Sequence, residues 1–96
     1  MTTVYLFDSP FDDSGKHLLL PTERNAEGFL RELLSVLPYK RYDNVTWERQ
    51  GQAFRCPVRA DELKRYNYMA YQNESRIEFA YIIDYQYVNN KLTYVT

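Results

Sequence analysis

Few side chains in this 96-residue sequence are of a type that does chemistry, and their spacing keeps them apart. His17 is the sole histidine, in a loop-to-strand passage with no cysteine near it in sequence. It reads as a surface or hydrogen-bonded loop residue rather than a general base. Cys56 is the sole cysteine, so the chain forms no internal disulfide and offers no cysteine-based metal site. Its plain reading is a buried, inert thiol of a reducing compartment. Asp12 and Asp13, beside Asp8, form an acidic loop without the glycine and glutamate spacing of a calcium loop, and read as a solvated turn. Gly15, Gly28 and Gly51 are the three glycines, too far apart to cradle a phosphate. Glu78 and Asp84 share one face of an expected strand, but their spacing places them roughly 20 Å apart, too far to share a substrate atom. No cofactor is implied and an enzyme is not expected.

Lys40-Arg41-Tyr42 and Lys64-Arg65-Tyr66 repeat a basic pair followed by an aromatic, which can hold a phosphate and stack a base. Composition weighs against that reading. With 12 Lys plus Arg against 13 Asp plus Glu, the formal charge is -1, and no basic field exists to grip nucleic acid. The plain reading is that both pairs flank strand starts and stay wet while the tyrosines turn inward. Specific nucleic-acid binding is therefore not expected, and Lys40, Arg41, Lys64 and Arg65 remain its only candidate contacts.

The elements that must position these residues follow from period and punctuation. Val4-Tyr5-Leu6-Phe7 reads as a short first strand, Asp8 to Gly15 as a loop, and His17 to Leu20 as a second short strand stopped by Pro21. Ala26, Phe29, Leu30, Leu33, Leu34 and Leu37 fall on one helical face, opposite Glu27, Arg31, Glu32 and Ser35. Thr22 or Asn25 can cap this helix and Pro38 stops it. Beyond Pro38 the period becomes two. Val45–Arg49 and Gln52–Cys56 read as a hairpin about Gln50-Gly51, pairing Trp47 with Phe54 and Val45 with Cys56. Asp61 to Lys64 reads as one helical turn capped by Asp61.

The last third alternates most clearly. Ile77, Phe79, Tyr81, Ile83, Tyr85 and Tyr87 would share one face of a single strand. A turn at Glu74-Ser75 pairs Ala70 with Phe79, Tyr68 with Tyr81 and Tyr66 with Ile83. A turn at Asn89-Asn90 pairs Tyr87 with Leu92 and Tyr85 with Tyr94, because asparagine tolerates the left-handed conformation that such a turn needs. Lys91 to Thr96 would then be an exposed edge or be paired with a neighbour. The expected class is α+β and β-rich: antiparallel hairpins or a meander with one amphipathic helix packed on the sheet.

Length fits a single domain over residues 1–96. Neither a signal peptide at Met1 to Phe7 nor an apolar run of membrane-spanning length is present, so a cytoplasmic protein is expected. The aromatic content stands out, with 10 Tyr, 5 Phe and 1 Trp. Tyrosine, tryptophan and arginine carry binding energy at protein interfaces, so self-association or docking on another protein is the expected activity.

Tyr66-Asn67-Tyr68-Met69-Ala70-Tyr71-Gln72-Asn73 and Phe79-Ala80-Tyr81-Ile82-Ile83-Asp84-Tyr85-Gln86-Tyr87-Val88-Asn89-Asn90 closely resemble the N-terminal region of tail knob proteins. These are the proximal tail tube proteins of small short-tailed phages of Gram-positive bacteria. Leu92 to Thr96 is similar to the beginning of that family's return strand, and Ser9-Pro10-Phe11-Asp12-Asp13 to its early proline-aromatic loop. The family's chains continue well past this strand, so residues 1–96 read either as a whole small protein or as the N-terminal part of a longer tail protein. The resemblance implies a structural domain that joins copies into a six-fold ring around the path of DNA, without catalysis. It implies a location in the host cytoplasm and then in the virion tail, with other tail proteins as partners. Trp47, Tyr85, Tyr87 and Tyr94 are the candidate interface. The Tyr85, Tyr87 and Tyr94 face is expected to pack under the Ala26–Leu37 helix or against a neighbouring subunit. Two other readings stand beside this one: a small phage inhibitor or adaptor that binds a host protein by its aromatic face, and a single-stranded nucleic-acid-binding module.

Overall fold

The computed structural model describes residues 2–8, 25–48 and 53–95. The expected loop from Ser9 to Gly15, the strand at His17 to Leu20, the alternative cap Thr22 and the Gln50-Gly51 turn lie outside the described residues.

Strand β1 (Thr3–Phe7) is buried along its whole length, as a continuous apolar run requires when both faces of a sheet are covered. It sits between β2 (Tyr39–Asp43) and β5 (Tyr68–Gln72), and β6 (Ile77–Tyr81) follows β5, giving a four-stranded sheet of order β2-β1-β5-β6. A second four-stranded sheet has order β3-β4-β8-β7, from β3 (Trp47–Glu48), β4 (Ala53–Phe54), β7 (Tyr85–Val88) and β8 (Lys91–Tyr94). All pairings are antiparallel. The α+β, β-rich class is as expected.

Helix α1 (Ala26–Val36) covers one face of the first sheet. Asn25 caps it, its Oδ1 accepting from Gly28 N–H at 2.7 Å. Phe29, Leu30 and Leu33 pack with Tyr5, Phe7, Tyr68 and Ala70, and the partly buried Leu34 and Leu37 border them. Ala26 of the expected stripe is exposed. The alternate residues of the same strands, Val4, Leu6, Met69 and Tyr71, point the other way and pack with Val45, Phe54, Ile82 and Leu92 against the second sheet. The first sheet thus separates two apolar cores.

The second sheet lies on the face of the first that is turned away from α1. β7 begins with Tyr85 in a cleft it shares with Glu78 of β6, and it reaches Tyr87 within electrostatic range of Tyr42 of β2, the opposite edge strand. The chain changes sheets at corners. One corner is Asn44, in the left-handed region at φ 61°, after which Val45 N–H bonds the Thr2 carbonyl at 3.2 Å. Another is the 3-10 turn Ile82–Asp84.

That turn corrects the single long strand expected from Ile77 to Tyr87. The β5–β6 hairpin has the expected register, Ala70 opposite Phe79 and Tyr68 opposite Tyr81, but it ends there. Tyr66 does not pair with Ile83; instead Ile82 N–H bonds the Asn67 carbonyl at 3.0 Å and Ile83 swings out to 79% exposure. The turn moves the chain to the second sheet and shifts the alternation by one, so Ile82 enters the core with Tyr85 and Tyr87 packed against it. The meander is therefore two hairpins in two sheets. The second has the expected register, Tyr85 opposite Tyr94 and Tyr87 opposite Leu92, with Asn89 and Asn90 at φ 51° and 61°.

Four smaller expectations are narrowed or changed. Trp47 pairs with Phe54 as expected, but beyond that the hairpin is held by Arg55 N–H on the Thr46 carbonyl rather than by a Val45–Cys56 pair. The single turn α2 (Ala60–Leu63) is preceded by Arg59, and Asp61 lies inside its first turn instead of capping it. Of the two alternatives for β8 the paired one holds, since Leu92 pairs with Phe54 on one side and Tyr87 on the other. The Tyr85–Tyr87 face packs in the core between the sheets, on the side of the first sheet away from α1.

Candidate functional site

Under the edge strand β6 the two sheets part, leaving a cleft of about 720 Å³. Met69, Ala80 and Tyr71 of the first sheet line one wall and Trp47, Phe54, Tyr85 and Tyr94 of the second sheet the other. The rings form a chain from core to surface. Trp47 lies 4.5 Å from Tyr71 and 5.1 Å from Phe54 between ring centroids. Phe54 meets Tyr85 edge to face at 5.7 Å, and Tyr85 meets Tyr94 likewise at 5.5 Å. These are favourable aromatic geometries, in which a ring edge faces a π surface. Trp47 Nε1–H is buried at the floor without an acceptor among the described residues.

Charge gathers at the rim. Arg76 pairs with Glu78 at 2.5 Å, and Asp84 lines the same cleft. The 20 Å separation expected for Glu78 and Asp84 assumed an unbroken strand. Because the 3-10 turn folds the chain back beneath β6, both carboxylates border one opening. The Tyr85 hydroxyl registers them: burial raises its pKa first, followed by Glu78, Tyr94 and Asp84. What sequence reasoning missed here is the convergence, and its signal was the adjacent pair Ile82-Ile83, which breaks strict alternation.

Of the four aromatics expected to form an interface, Trp47, Tyr85 and Tyr94 meet in this cleft. Tyr87 does not. It points toward the opposite flank, where its hydroxyl donates to the Val58 carbonyl. Burial, then the neighbouring Cys56, pushes its pKa up to about 12. Cys56 is buried as expected, and burial raises its thiol pKa.

The two Lys-Arg-Tyr segments are brought together on the β2 flank. Lys40 and Arg41 lie within β2 rather than before a strand, whereas Lys64 and Arg65 form the turn after α2. Glu62 of α2 is their meeting point. Its carboxylate takes an ion pair from Lys40 and a 3.4 Å bond from the Tyr42 hydroxyl. The Lys40 bond is the chief cause that lowers the Glu62 pKa and raises that of Lys40, with Arg65 a further influence on Glu62. Arg41 bonds Asp43 at 3.0 Å and lies 5.8 Å from the Tyr5 ring centroid. Asp43 is held below the usual carboxylate range, first by Arg41 and then by the Thr3 hydroxyl. Tyr42 and Tyr66 pack against the core, so the tyrosines turn inward as expected.

Among the described residues no group of three or more His, Cys, Asp or Glu side chains could hold a metal ion. No helix among them is long and apolar enough to cross a membrane. Neither a curated protein nor a solved structure matches the chain. A family does: the caudoviral major tail protein N-terminus, across residues 2–96. The match takes in both sheets, α1 and the cleft together, and the chain belongs to this family of tailed-phage tail proteins.

Proposed function

We propose that this tail domain is a structural unit, residues 1–96 acting as one piece, that joins copies of itself into a six-fold ring at the proximal tail knob of a short-tailed phage of Gram-positive bacteria. The ring would surround the path of DNA, and no residue would do chemistry. The observation that carries the reading is the family match over residues 2–96, which makes the protein a phage tail component. The knob position and the host class rest on the resemblance of Tyr66–Asn73 and Phe79–Asn90. Assembly in the host cytoplasm precedes incorporation into the virion.

Two features of the fold support self-association. Among the described residues, β2 and β6 have a partner strand on one side only, at opposite ends of one sheet. Contact between unlike surfaces of identical copies builds closed rings when the rotation closes. Of the candidate interface aromatics, Trp47, Tyr85 and Tyr94 line the open cleft and suit such a contact, while Tyr87 is turned to the opposite flank, and the formal charge of -1 suits a lumen that DNA passes without being gripped. Sedimentation velocity of the purified chain tests the reading, with a closed oligomer as the expected result. A strict monomer at all concentrations, together with absence of the protein from purified virions, would overturn it. Stoichiometric capture of a host protein without virion copurification would favour the adaptor reading instead.

A further inference from the structure

The first sheet ends in two unlike flanks. On the β2 side α2 closes the gap between the sheets, with Leu63 buried there, and Lys40, Arg41, Lys64 and Arg65 lie on its surface beside the exposed Arg59–Asp61 pair. Lys40 and Arg41 are already held by Glu62 and Asp43. Lys64 and Arg65 stand exposed, and neither is in an ion pair among the described residues. On the β6 side the gap stays open as the aromatic cleft, with Asp84 and the Arg76–Glu78 ion pair at its rim. Val95 N–H bonds the Asp84 carbonyl at 2.6 Å, and Val95 and Ile83, 43% and 79% exposed, give that rim an apolar margin.

Three properties of the cleft ask for one kind of occupant. The Asp84 carboxylate beside Tyr85, in no ion pair among the described residues, suits a guanidinium or ammonium group, which gains both charge pairing and the face of a ring. The exposed apolar margin suits a surface that excludes water. The Trp47 Nε1–H lacks an acceptor among the described residues, and a polypeptide brings carbonyls where a bare cation brings none.

We infer that the β6-side cleft receives the Lys64–Arg65 turn of a second copy of this chain, so that the basic flank of one copy docks in the acidic, aromatic flank of the next. This rests on the self-association proposed above and adds the surfaces and side chains that make it. The contact is head to tail. Each docking leaves one cleft and one turn unused until the last copy meets the first.

Charge reversal tests it on the full chain. Asp84→Lys alone, and Lys64→Glu with Arg65→Glu alone, are each expected to weaken association at least about tenfold, because like charges then face each other. Mixing the two variants restores it, since each supplies the surface the other has lost. Trp47 is the only tryptophan, so its emission reads the cleft directly: it changes with concentration in the native chain and stays constant in either variant. Asp84→Asn, which removes the charge with little change of shape, is expected to weaken association in the same direction and serves if Asp84→Lys does not fold. Association that survives both variants with Trp47 emission unchanged would overturn the cleft assignment and leave self-association standing. A native chain that stays monomeric would overturn both. A Trp47 response only to a different tail protein would overturn the choice of a second copy.

Discussion

A hydroxyl without a partner among the described residues sits in the core beneath α1. Tyr68 is fully buried, its ring stacked 5.7 Å from Phe79 and tilted 6.0 Å from Phe7, and its OH has no partner among the described residues. A buried polar atom without a partner keeps its desolvation penalty and returns nothing. Tyr68→Phe keeps the ring and removes the hydroxyl, so urea denaturation is expected to show a gain of about 1 kcal/mol; a loss would reveal a partner. Alkali reads the same burial. Desolvation raises the pKa of Tyr68 and takes that of Tyr87 to about 12, so the folded chain holds these protons more tightly than the unfolded one. Stability from this source is full below the unfolded tyrosine value of about 10 and falls as pH rises from there toward 12. Tyr87→Phe is expected to flatten that fall, measured as denaturation midpoints at pH 9 to 12.

Among the elements, the 3-10 turn at Ile82–Asp84 decides the most. It makes two adjacent isoleucines opposites, Ile82 at 5% exposure and Ile83 at 79%. Ile82→Ala is expected to destabilise by about 2–4 kcal/mol, while Ile83→Ala stays within about 0.5 kcal/mol; equal effects would restore the unbroken strand. The Asn89-Asn90 turn gives a second test. Asn90 holds φ 61°, so Asn90→Val is expected to lose about 1–2 kcal/mol, whereas Asn90→Gly is tolerated.

These elements also show what a sequence can and cannot reveal. α1 was legible from its stripe, its Asn25 cap and Pro38, and both long hairpins from period and turn residues. β2 was not, because an edge strand that is mostly exposed carries no inward-outward pattern to read. The break after Tyr81 was marked only by the adjacent Ile82-Ile83, because the odd-numbered residues from Ile77 to Tyr87 stay apolar or aromatic across the corner. The cleft was half legible. Trp47, Tyr85 and Tyr94 stood out by type, but Glu78 and Asp84 meet only because the turn brings them beneath one edge.

At the scale of the whole molecule, the first sheet separates two cores with no shared side chains. Leu33 belongs to the helix-facing core and Val58 to the one between the sheets. Leu33→Ala and Val58→Ala are each expected to destabilise by about 2 kcal/mol or more, and together to add within about 0.5 kcal/mol. A large coupling between them in denaturation experiments would mean that the sheet transmits packing changes from one side to the other.

Strand β1 has one more consequence, for the order in which the protein is made. Its central partner is β5, and the Tyr5 hydroxyl bonds Gln72 across 67 residues of chain. At roughly 5–20 residues per second of synthesis, β1 emerges about 3–13 seconds before β5 does. For most of that interval α1 and β2 can cover only one face and one edge of it, and the edge that β5 takes and the face toward the second sheet stay open. Ribosome-bound nascent chains that end before Tyr68 should therefore be held by chaperones, and those extending past Tyr81 should be released.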